Sequence, residues 1–205
     1  MKLKVCGMRE PHNISQLLEL RPDFMGFIFY GKSPRNAEGV LNKELLKEFP
    51  ETTKKVGVFV NSPIQAVKEK VREYKLDYVQ LHGDESVEYV GELFAIGINV
   101  IKVFSVGQEF DFDRLKPYKG LVDFFLFDTK GKERGGNGKV FNWEVLNDYP
   151  YDVPYFLSGG IDLENLEDIA HIKVQPYAID VNSKFELEPG LKDIERLKML
   201  VENMN

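Results

Sequence analysis

Residues 1–8 read Met1-Lys2-Leu3-Lys4-Val5-Cys6-Gly7-Met8, and the rest of the chain is organised around this stretch. Leu3–Val5 predicts a short buried strand that ends at Cys6-Gly7. Cys6 is the only cysteine among 205 residues. A free cysteine is most often a small buried apolar residue without chemistry. A chemical role for Cys6 therefore depends on what the other strands bring beside it.

Seven further short apolar runs follow along the chain. They are Phe24–Phe29, Lys54–Val60, Tyr78–Leu81, Val100–Val103, Phe124–Phe127, Pro154–Leu157 and Ala178–Val181. Several of them are apolar at consecutive positions instead of alternating, which is typical of parallel strands covered on both faces. The sequence thus predicts eight strands.

Helical patterns fill most of the gaps between these runs. Ser62-Pro63-Ile64-Gln65 predicts a helix start with a capping serine and proline in the first helical position. Asp84-Glu85-Ser86 and Asp162 predict two more starts, and 191–203 predicts a last helix. The side chains expected to face inward are Ile64, Val67, Val71, Val87, Val90, Phe94, Leu163, Leu166, Ile169, Leu191, Ile194, Leu197 and Val201. Helix boundaries after the second, fifth and sixth strands stay open.

The alternation of strand and helix predicts the fold class. Eight repeats of strand and helix, without a linker or a break in composition, indicate an α/β protein with a single (β/α)8 barrel over residues 1–205. An open doubly wound sheet is the alternative, although such sheets usually have fewer strands.

Composition narrows the classes of function. One cysteine excludes an intramolecular disulfide and a multi-cysteine metal site, so we expect a reducing cytoplasm. No apolar run reaches the roughly 20 residues that span a bilayer, and the first residues do not resemble a signal peptide. The net charge of −6 and the scattered lysines and arginines argue against nucleic-acid binding. An anionic ligand would need local positive potential.

Polar residues follow nearly every predicted strand. The carboxyl ends of barrel strands meet on the catalytic face. The residues that we expect on this face are Cys6, Arg35, Asn61, His82, Asp128, Gly159, Gly160, Asp180, Asn182 and Ser183. One such strand end would mean little, but the whole set indicates an active site.

Ser158-Gly159-Gly160 before a helix near Asp162 is suited to phosphate. Glycine lets backbone N–H groups approach an anion, and a helix N-terminus adds favourable potential. Barrels often bind phosphate after strands seven and eight, where Asn182-Ser183 supplies further donors. A tight turn is the alternative for the glycine pair.

Two loops carry open alternatives. Residues 130–139 hold Gly131, Gly135, Gly136 and Gly138, which predicts either a lid that excludes water or a disordered loop. Arg35 is either a solvated arginine or a guanidinium that binds a carboxylate.

His82 has too few nearby ligands for a metal site, so we expect no metal.

Ordered motifs over almost the whole chain resemble phosphoribosylanthranilate isomerase. They are Lys4-Val5-Cys6-Gly7, Gly31-Lys32-Ser33-Pro34-Arg35, Gly57-Val58-Phe59-Val60-Asn61, Val79-Gln80-Leu81-His82-Gly83, Asp128-Thr129, Gly135-Gly136-Asn137-Gly138 with Phe141 and Trp143, Leu157-Ser158-Gly159-Gly160-Ile161 with Glu164-Asn165, and Asp180-Val181. Each motif alone is weak, but their order makes the resemblance specific. It implies a TIM barrel that carries out an Amadori rearrangement in tryptophan biosynthesis.

The resemblance also implies roles for residues. Cys6 would be the general base at ribose C2, and Asp128 the general acid at the ring oxygen. Local positive potential can tune a thiol toward thiolate, and a partly dry carboxyl can hold its proton. Arg35 would bind the anthranilate carboxylate. The phosphate would lie on Gly159, Gly160, Asn182 and Ser183, with Asp180 orienting the substrate and His82 lining the site. We expect no cofactor, and a monomer with a homodimer as the alternative.

One position departs from the family pattern. The family usually reads Asp-Val-Ser-Ser-Gly-Val-Glu where this chain has Asp180-Val181-Asn182-Ser183-Lys184-Phe185-Glu186. A lysine in place of glycine makes a positive φ costly. Lys184 therefore either adds charge beside the phosphate or points away in a reshaped loop.

Two rival functions remain. The related sugar-phosphate isomerase of histidine biosynthesis has an aspartate at the position of Cys6 and a half-barrel duplication, and this chain has neither. A catalytically silent barrel that senses phosphorylated sugars would need neither Cys6 nor Asp128.

Overall fold

The computed structural model describes residues 1–107, 109–129 and 143–204. Eight parallel strands form a closed barrel in chain order, and β1 pairs with both β2 and β8. The barrel strands are β1 (Lys2–Cys6), β2 (Phe24–Ile28), β3 (Lys54–Phe59), β4 (Tyr78–Leu81), β5 (Asn99–Val106), β6 (Phe124–Thr129), β7 (Tyr155–Ser158) and β8 (Ala178–Val181). The predicted barrel is confirmed, and the open sheet is excluded.

Helices and a hairpin connect and follow the strands. The α-helices are α1 (Pro11–Glu19), α2 (Lys43–Lys47), α3 (Ile64–Tyr74), α4 (Val87–Ala95) and α5 (Ile194–Met204). The 3₁₀ helices are Phe112–Tyr118, Trp143–Asp148, Leu166–His171 and Ser183–Phe185. After the barrel, β9 (Glu186–Glu188) and β10 (Leu191–Lys192) form an antiparallel pair. Pro117 lies inside one 3₁₀ helix, where its missing N–H works against a regular α-helix.

The start of α3 differs from the prediction. Pro63 is the N-cap residue in an extended conformation, and it makes no side-chain capping bond. The predicted capping role of Ser62 is therefore wrong. The Ser62 carbonyl instead accepts a hydrogen bond from the Tyr89 hydroxyl at 2.9 Å. The φ of −55° and ψ of 136° at Pro63 are close to those of polyproline II and far from helical in ψ, so the helix begins at the next residue, Ile64.

The start of α4 is confirmed, and its buried face agrees with the prediction at Val90 but not at Phe94. The Ser86 hydroxyl accepts a hydrogen bond from the Tyr89 N–H, as an N-cap should. The buried face runs through Val90 and Leu93, whereas the Phe94 side chain is 51% exposed. The inward position predicted for Phe94 is therefore wrong, because Leu93 occupies it.

Two predicted helix starts lie further along the chain than expected. After β7, Asn165 accepts from the Asp162 N–H at 2.8 Å and donates to the Gly160 carbonyl at 2.9 Å. These local bonds compete with a helix at Asp162, and the 3₁₀ helix begins only at Leu166. Leu191 belongs to β10, since the turn at Gly190, with a φ of 90°, starts a strand before α5 begins at Ile194.

The core has two parts. The larger cluster fills the space between strands and helices and includes Val5, Phe27, Val79, Leu157 and Leu197. The smaller cluster fills the barrel interior with Phe24, Val56, Ile101, Val103, Phe124, Leu126, Phe156 and Ala178. Because the strands are covered on both faces, their sequences are apolar at consecutive positions.

No helix in the described part of the chain is long and apolar enough to span a membrane.

Candidate active site

The alternation of side chains along the strands delivers polar groups to the upper layer of the barrel. On β6, Phe124 and Leu126 belong to the interior cluster, so Asp128 is the next side chain to point inward. On β8, Ala178 is interior and Asp180 follows two residues later. The barrel is thus apolar in its lower layers and polar where the strands end.

A cavity of about 220 Å³ opens at this polar end. Of the nine predicted catalytic and binding residues, eight line it, namely Cys6, His82, Asp128, Gly159, Gly160, Asp180, Asn182 and Ser183. Gln80, Ser158 and Lys184 also line it. The structure therefore brings together residues from β1, β4, β6, β7 and β8 that are distant in sequence.

Arg35, the ninth residue, lies beside the cavity and not in its wall. The loop after β2 returns to the strand, where Asn36 bridges Ile28. The Arg35 guanidinium binds the Glu186 carboxylate through Nε at 2.9 Å and Nη2 at 2.6 Å. Arg35 thus binds a carboxylate of its own chain, that of Glu186, which lies 151 positions away in the sequence.

Two glycines make room around Cys6. A Cβ atom on Gly7, which has a φ of 82°, would lie 2.8 Å from Asn182 Oδ1 and 2.9 Å from Arg35 Cδ. A Cβ atom on Gly26 would lie 2.7 Å from the Cys6 sulfur. Glycine at position 7 therefore lets Asn182 and Arg35 pack against the backbone next to Cys6, and glycine at position 26 leaves room for the thiol.

Lys4 is a buried charge that the sequence analysis missed. Its side chain is 0% exposed, and its Nζ donates to Asp180 Oδ1 at 2.8 Å. Lys4 and Cys6 point inward from β1 two residues apart, so the ammonium lies on the same face as the thiol. A lysine inside an otherwise apolar strand was the signal that could have revealed it.

Charges around Cys6 act in opposite directions. Burial raises the pKa of the Cys6 thiol above its ordinary value of 9.0, and the Lys4 and Lys192 ammonium groups lower it. The rise wins, so the expectation that positive potential brings this thiol toward thiolate near neutral pH is wrong in its net direction. Burial also opposes the charge on Lys4, but attraction to Asp180 and Cys6 raises the Lys4 pKa overall.

His82 connects Gln80 to Asp128. Its Nε2 lies 3.6 Å from Asp128 Oδ2, and its Nδ1 lies 3.1 Å from Gln80 Nε2. An amide nitrogen only donates, so in this arrangement Nδ1 accepts and Nε2 carries the hydrogen that faces Asp128. His82 is therefore oriented between a buried amide and the candidate acid.

The candidate phosphate segment is a glycine turn, without the expected helix N-terminus behind it. Gly159 and Gly160 have φ values of 95° and 69°, which favour glycine. Asn182 precedes the short 3₁₀ helix Ser183–Phe185. Lys184 has no positive φ, so the strain expected from replacing glycine is absent there. Its Nζ lies 4.0 Å from Asp162 Oδ2 while the residue lines the cavity.

Two expectations concern absent or undescribed groups. Within residues 1–107, 109–129 and 143–204, no cluster of three or more His, Cys, Asp or Glu side chains could hold a metal ion. The candidate lid over 130–139, together with Phe141, lies outside the described residues.

The chain matches a family model described as N-(5'phosphoribosyl)anthranilate (PRA) isomerase over residues 3–203. It is 45% identical over 206 residues to the N-(5'-phosphoribosyl)anthranilate isomerase of Parabacteroides distasonis, an alignment that covers 100% of this chain and 93% of that protein.

Solved structures give the same likeness. The crystal structure of phosphoribosyl anthranilate isomerase from Thermotoga maritima is similar with a TM-score of 0.84 and 34% identity, covering 99% of this chain and 98% of that one. A structure of such an isomerase in complex with reduced 1-(o-carboxyphenylamino)-1-deoxyribulose 5-phosphate has a TM-score of 0.82 and 31% identity, covering 99% and 97%.

Proposed function

The chain belongs to the N-(5'-phosphoribosyl)anthranilate (PRA) isomerase family, and from this premise we propose how its residues divide the work of the reaction. The enzyme converts N-(5-phosphoribosyl)anthranilate to 1-(2-carboxyphenylamino)-1-deoxyribulose 5-phosphate, an aldose–ketose isomerisation of the Amadori type in tryptophan biosynthesis. The observation that carries the assignment of roles is that Cys6 and Asp128 line one cavity from the ends of β1 and β6.

Asp128 is the proposed general acid. It gives a proton to the ribose ring oxygen, the C1–O bond breaks, and the anthranilate nitrogen forms an iminium with C1. Proton transfer of this kind requires a carboxylic acid within hydrogen-bond reach of the oxygen. The Asp128 side chain is 22% exposed, and His82 Nε2 lies 3.6 Å from it, so both face the space where the sugar would bind.

Cys6 is the proposed general base. Once the iminium forms, the hydrogen on C2 becomes acidic, and the Cys6 thiolate removes it. A thiol with a raised pKa is less often ionised, but its thiolate is a stronger base toward a carbon acid. The buried Lys4 ammonium supports the thiolate, and Asp180 holds Lys4 in place at 2.8 Å.

The two ends of the substrate define the rest of the site. The proposed phosphate contacts are the backbone of Gly159 and Gly160 and the donors of Asn182 and Ser183, all of which line the cavity. The proposed carboxylate contact is Arg35, whose guanidinium is oriented by Glu186. Asp180 and His82 would orient the sugar between these ends.

We also propose that residues 1–205 form one catalytic domain that acts as a monomer in the cytoplasm, with a homodimer as the alternative. All the proposed catalytic and binding residues belong to one chain, so a second copy is not needed to complete the site. Sedimentation equilibrium on the active enzyme distinguishes the two states.

Substitution of the two catalytic residues tests the proposal. We expect Cys6→Ser and Asp128→Asn each to lower kcat by about 10²–10⁴-fold, because each removes one proton-transfer group. The loss of substrate fluorescence on conversion of the anthranilate adduct measures turnover. Binding of reduced 1-(o-carboxyphenylamino)-1-deoxyribulose 5-phosphate is the control, and its Kd should change by less than about threefold. Unimpaired turnover by Cys6→Ser would remove Cys6 from the base role.

A further inference from the structure

Lys192 makes no contact with the substrate in the proposed reaction, but it lies at the centre of a polar cluster that includes two of the proposed substrate-binding residues. Its side chain is 0% exposed, although it comes from β10, outside the barrel. The Lys192 Nζ donates to Asn182 Oδ1 at 2.6 Å and to Glu186 Oε1 at 2.5 Å. We call Lys192, Asn182, Glu186 and Arg35 the Lys192 cluster.

The backbone of Lys192 is fixed from the other side. Asn13, a buried residue of α1, accepts from the Lys192 N–H at 2.7 Å and donates to the Lys192 carbonyl at 3.0 Å. Both hydrogen-bonding groups of this residue's backbone are thus held by one side chain. The ammonium therefore has a defined position relative to the barrel.

The contact with Asn182 determines which way that amide faces. An ammonium only donates, so the oxygen of Asn182 must point toward Lys192. The Nδ2 donors are consequently the end of the amide that is available to an anion. Asn182 lines the cavity beside Ser183, where the phosphate is proposed to bind.

The contact with Glu186 determines which edge of Arg35 is available. Glu186 accepts from Lys192, from the Gly190 N–H at 3.1 Å, and from Nε and Nη2 of Arg35. This leaves Nη1 on the side of the guanidinium away from Glu186. Two cations share one carboxylate, so the cluster keeps a net positive charge beside a site for an anionic substrate.

We infer that Lys192 is a positioning residue that joins the two ends of the substrate site, setting Asn182 for the phosphate directly and Arg35 for the carboxylate through Glu186. This inference rests on the proposed function, because it assigns the two ends of one ligand to Asn182 and Arg35. Replacing a lysine that only stabilised the fold would lower the stability of the protein, without a specific loss of affinity for the phosphate or the carboxylate of the substrate.

Binding of three probes to three variants tests the inference. The probes are reduced 1-(o-carboxyphenylamino)-1-deoxyribulose 5-phosphate, inorganic phosphate and anthranilate, with Kd measured by calorimetry or competition. For Lys192→Met we expect the Kd of the reduced compound to rise by about ten- to hundredfold, with weaker binding of both smaller probes, because hydrogen bonds to charged groups are lost. In turnover, KM should rise, and kcat should fall by less than in Lys4→Met, because Lys192 has the smaller of the two effects on the Cys6 thiol.

Two further variants separate positioning from stability. Glu186→Gln removes the carboxylate that holds Arg35, keeps an amide oxygen that can accept from Lys192, and leaves the direct Lys192–Asn182 contact in place. Anthranilate and the reduced compound should therefore bind more weakly, while phosphate binds as in the wild type. Lys102→Met removes another buried lysine, at 2% exposure, and should lower the melting temperature without changing any of the three Kd values.

Two results would overturn the inference. One is a folded Lys192→Met protein that binds all three probes like the wild type. The other is a Glu186→Gln protein that loses phosphate affinity as much as anthranilate affinity, and this variant decides the matter if Lys192→Met does not fold. If the wild type fails to bind the reduced compound, the proposed function fails instead, and the comparison of phosphate binding still tests the role of Lys192.

Discussion

Two sides of the barrel bury lysine–carboxylate pairs, and they use them differently. Near β4 and β5, Lys102 Nζ donates to Glu85 Oε2 at 3.0 Å and to the Gly83 carbonyl at 2.7 Å. Glu85 in turn accepts from the backbone N–H groups of Asn61 and Gly83. Among the described residues, neither Lys102 nor Glu85 lines the cavity.

Near β1 and β8, the buried lysines contact side chains that line the cavity. Lys4 binds Asp180, and Lys192 binds Asn182, both of which line it. Burial of a charge therefore does not by itself indicate function. The informative feature is which groups the buried pair contacts. Contacts with backbone groups fix a loop, whereas contacts with side chains that line the cavity can position a ligand.

The Lys102 pair should produce the largest change in stability. We expect Lys102→Met to lower the free energy of unfolding by about 3–5 kcal/mol, because Glu85 would remain as a buried, unpaired carboxylate. Urea unfolding measures the loss, and KM measured on the folded protein should stay within about threefold of the wild type. A rise in KM as large as that of Lys192→Met would erase the distinction between the two sides.

The Lys4 pair should affect both stability and rate. We expect Lys4→Met to be destabilised like Lys102→Met and, in addition, to lose about ten- to hundredfold in kcat, because the nearby Lys4 ammonium favours the Cys6 thiolate. Steady-state kinetics at a temperature where both variants are folded measures the difference. Equal kcat values for Lys4→Met and Lys102→Met would assign both lysines to the fold alone.

The pH dependence of thiol alkylation measures how the Lys4 ammonium affects the pKa of Cys6. Burial raises the pKa of Cys6 above 9.0, so the alkylation rate with iodoacetamide should keep rising beyond pH 9.0. A positive charge favours the thiolate and lowers the thiol pKa, so removing it in Lys4→Met should shift the profile to still higher pH. Because Cys6 is the only cysteine, the rate reports on one site. A shift to lower pH would contradict the electrostatic role of Lys4.

The barrel and most of its polar end could be predicted from the sequence because both depend on local patterns. Eight apolar runs became eight strands, and period-two alternation carried Asp128 and Asp180 to the cavity. Helix details followed the prediction less closely, since Pro63 is the N-cap in place of Ser62 and Leu93 is buried in place of Phe94.

Long-range pairing is what the sequence could not reveal. Glu186 binds Arg35 across 151 residues, and Lys4 binds Asp180 across 176. No spacing rule relates such positions, because they become neighbours only when β1 and β8 close the barrel. Lys192 was missed for a related reason, since 191–203 was predicted to be helical and a helix would have placed this residue on a solvent-facing turn.

Substitution of Lys184 should produce the smallest effect, because this lysine belongs to neither of the two buried groups. Its side chain is 46% exposed and 4.0 Å from Asp162, so it is neither buried nor closely paired. We expect Lys184→Ala to raise KM by about two- to fivefold, because exposed charges contribute little, and salt should reduce the difference from the wild type. Lys47→Ala, which alters an exposed lysine on α2, is the matched control. If KM and its salt dependence matched the wild type, Lys184 would contribute no charge to the phosphate site. Among the described residues, the buried lysines Lys4 and Lys192 and the Arg35 guanidinium would then supply the positive potential near it.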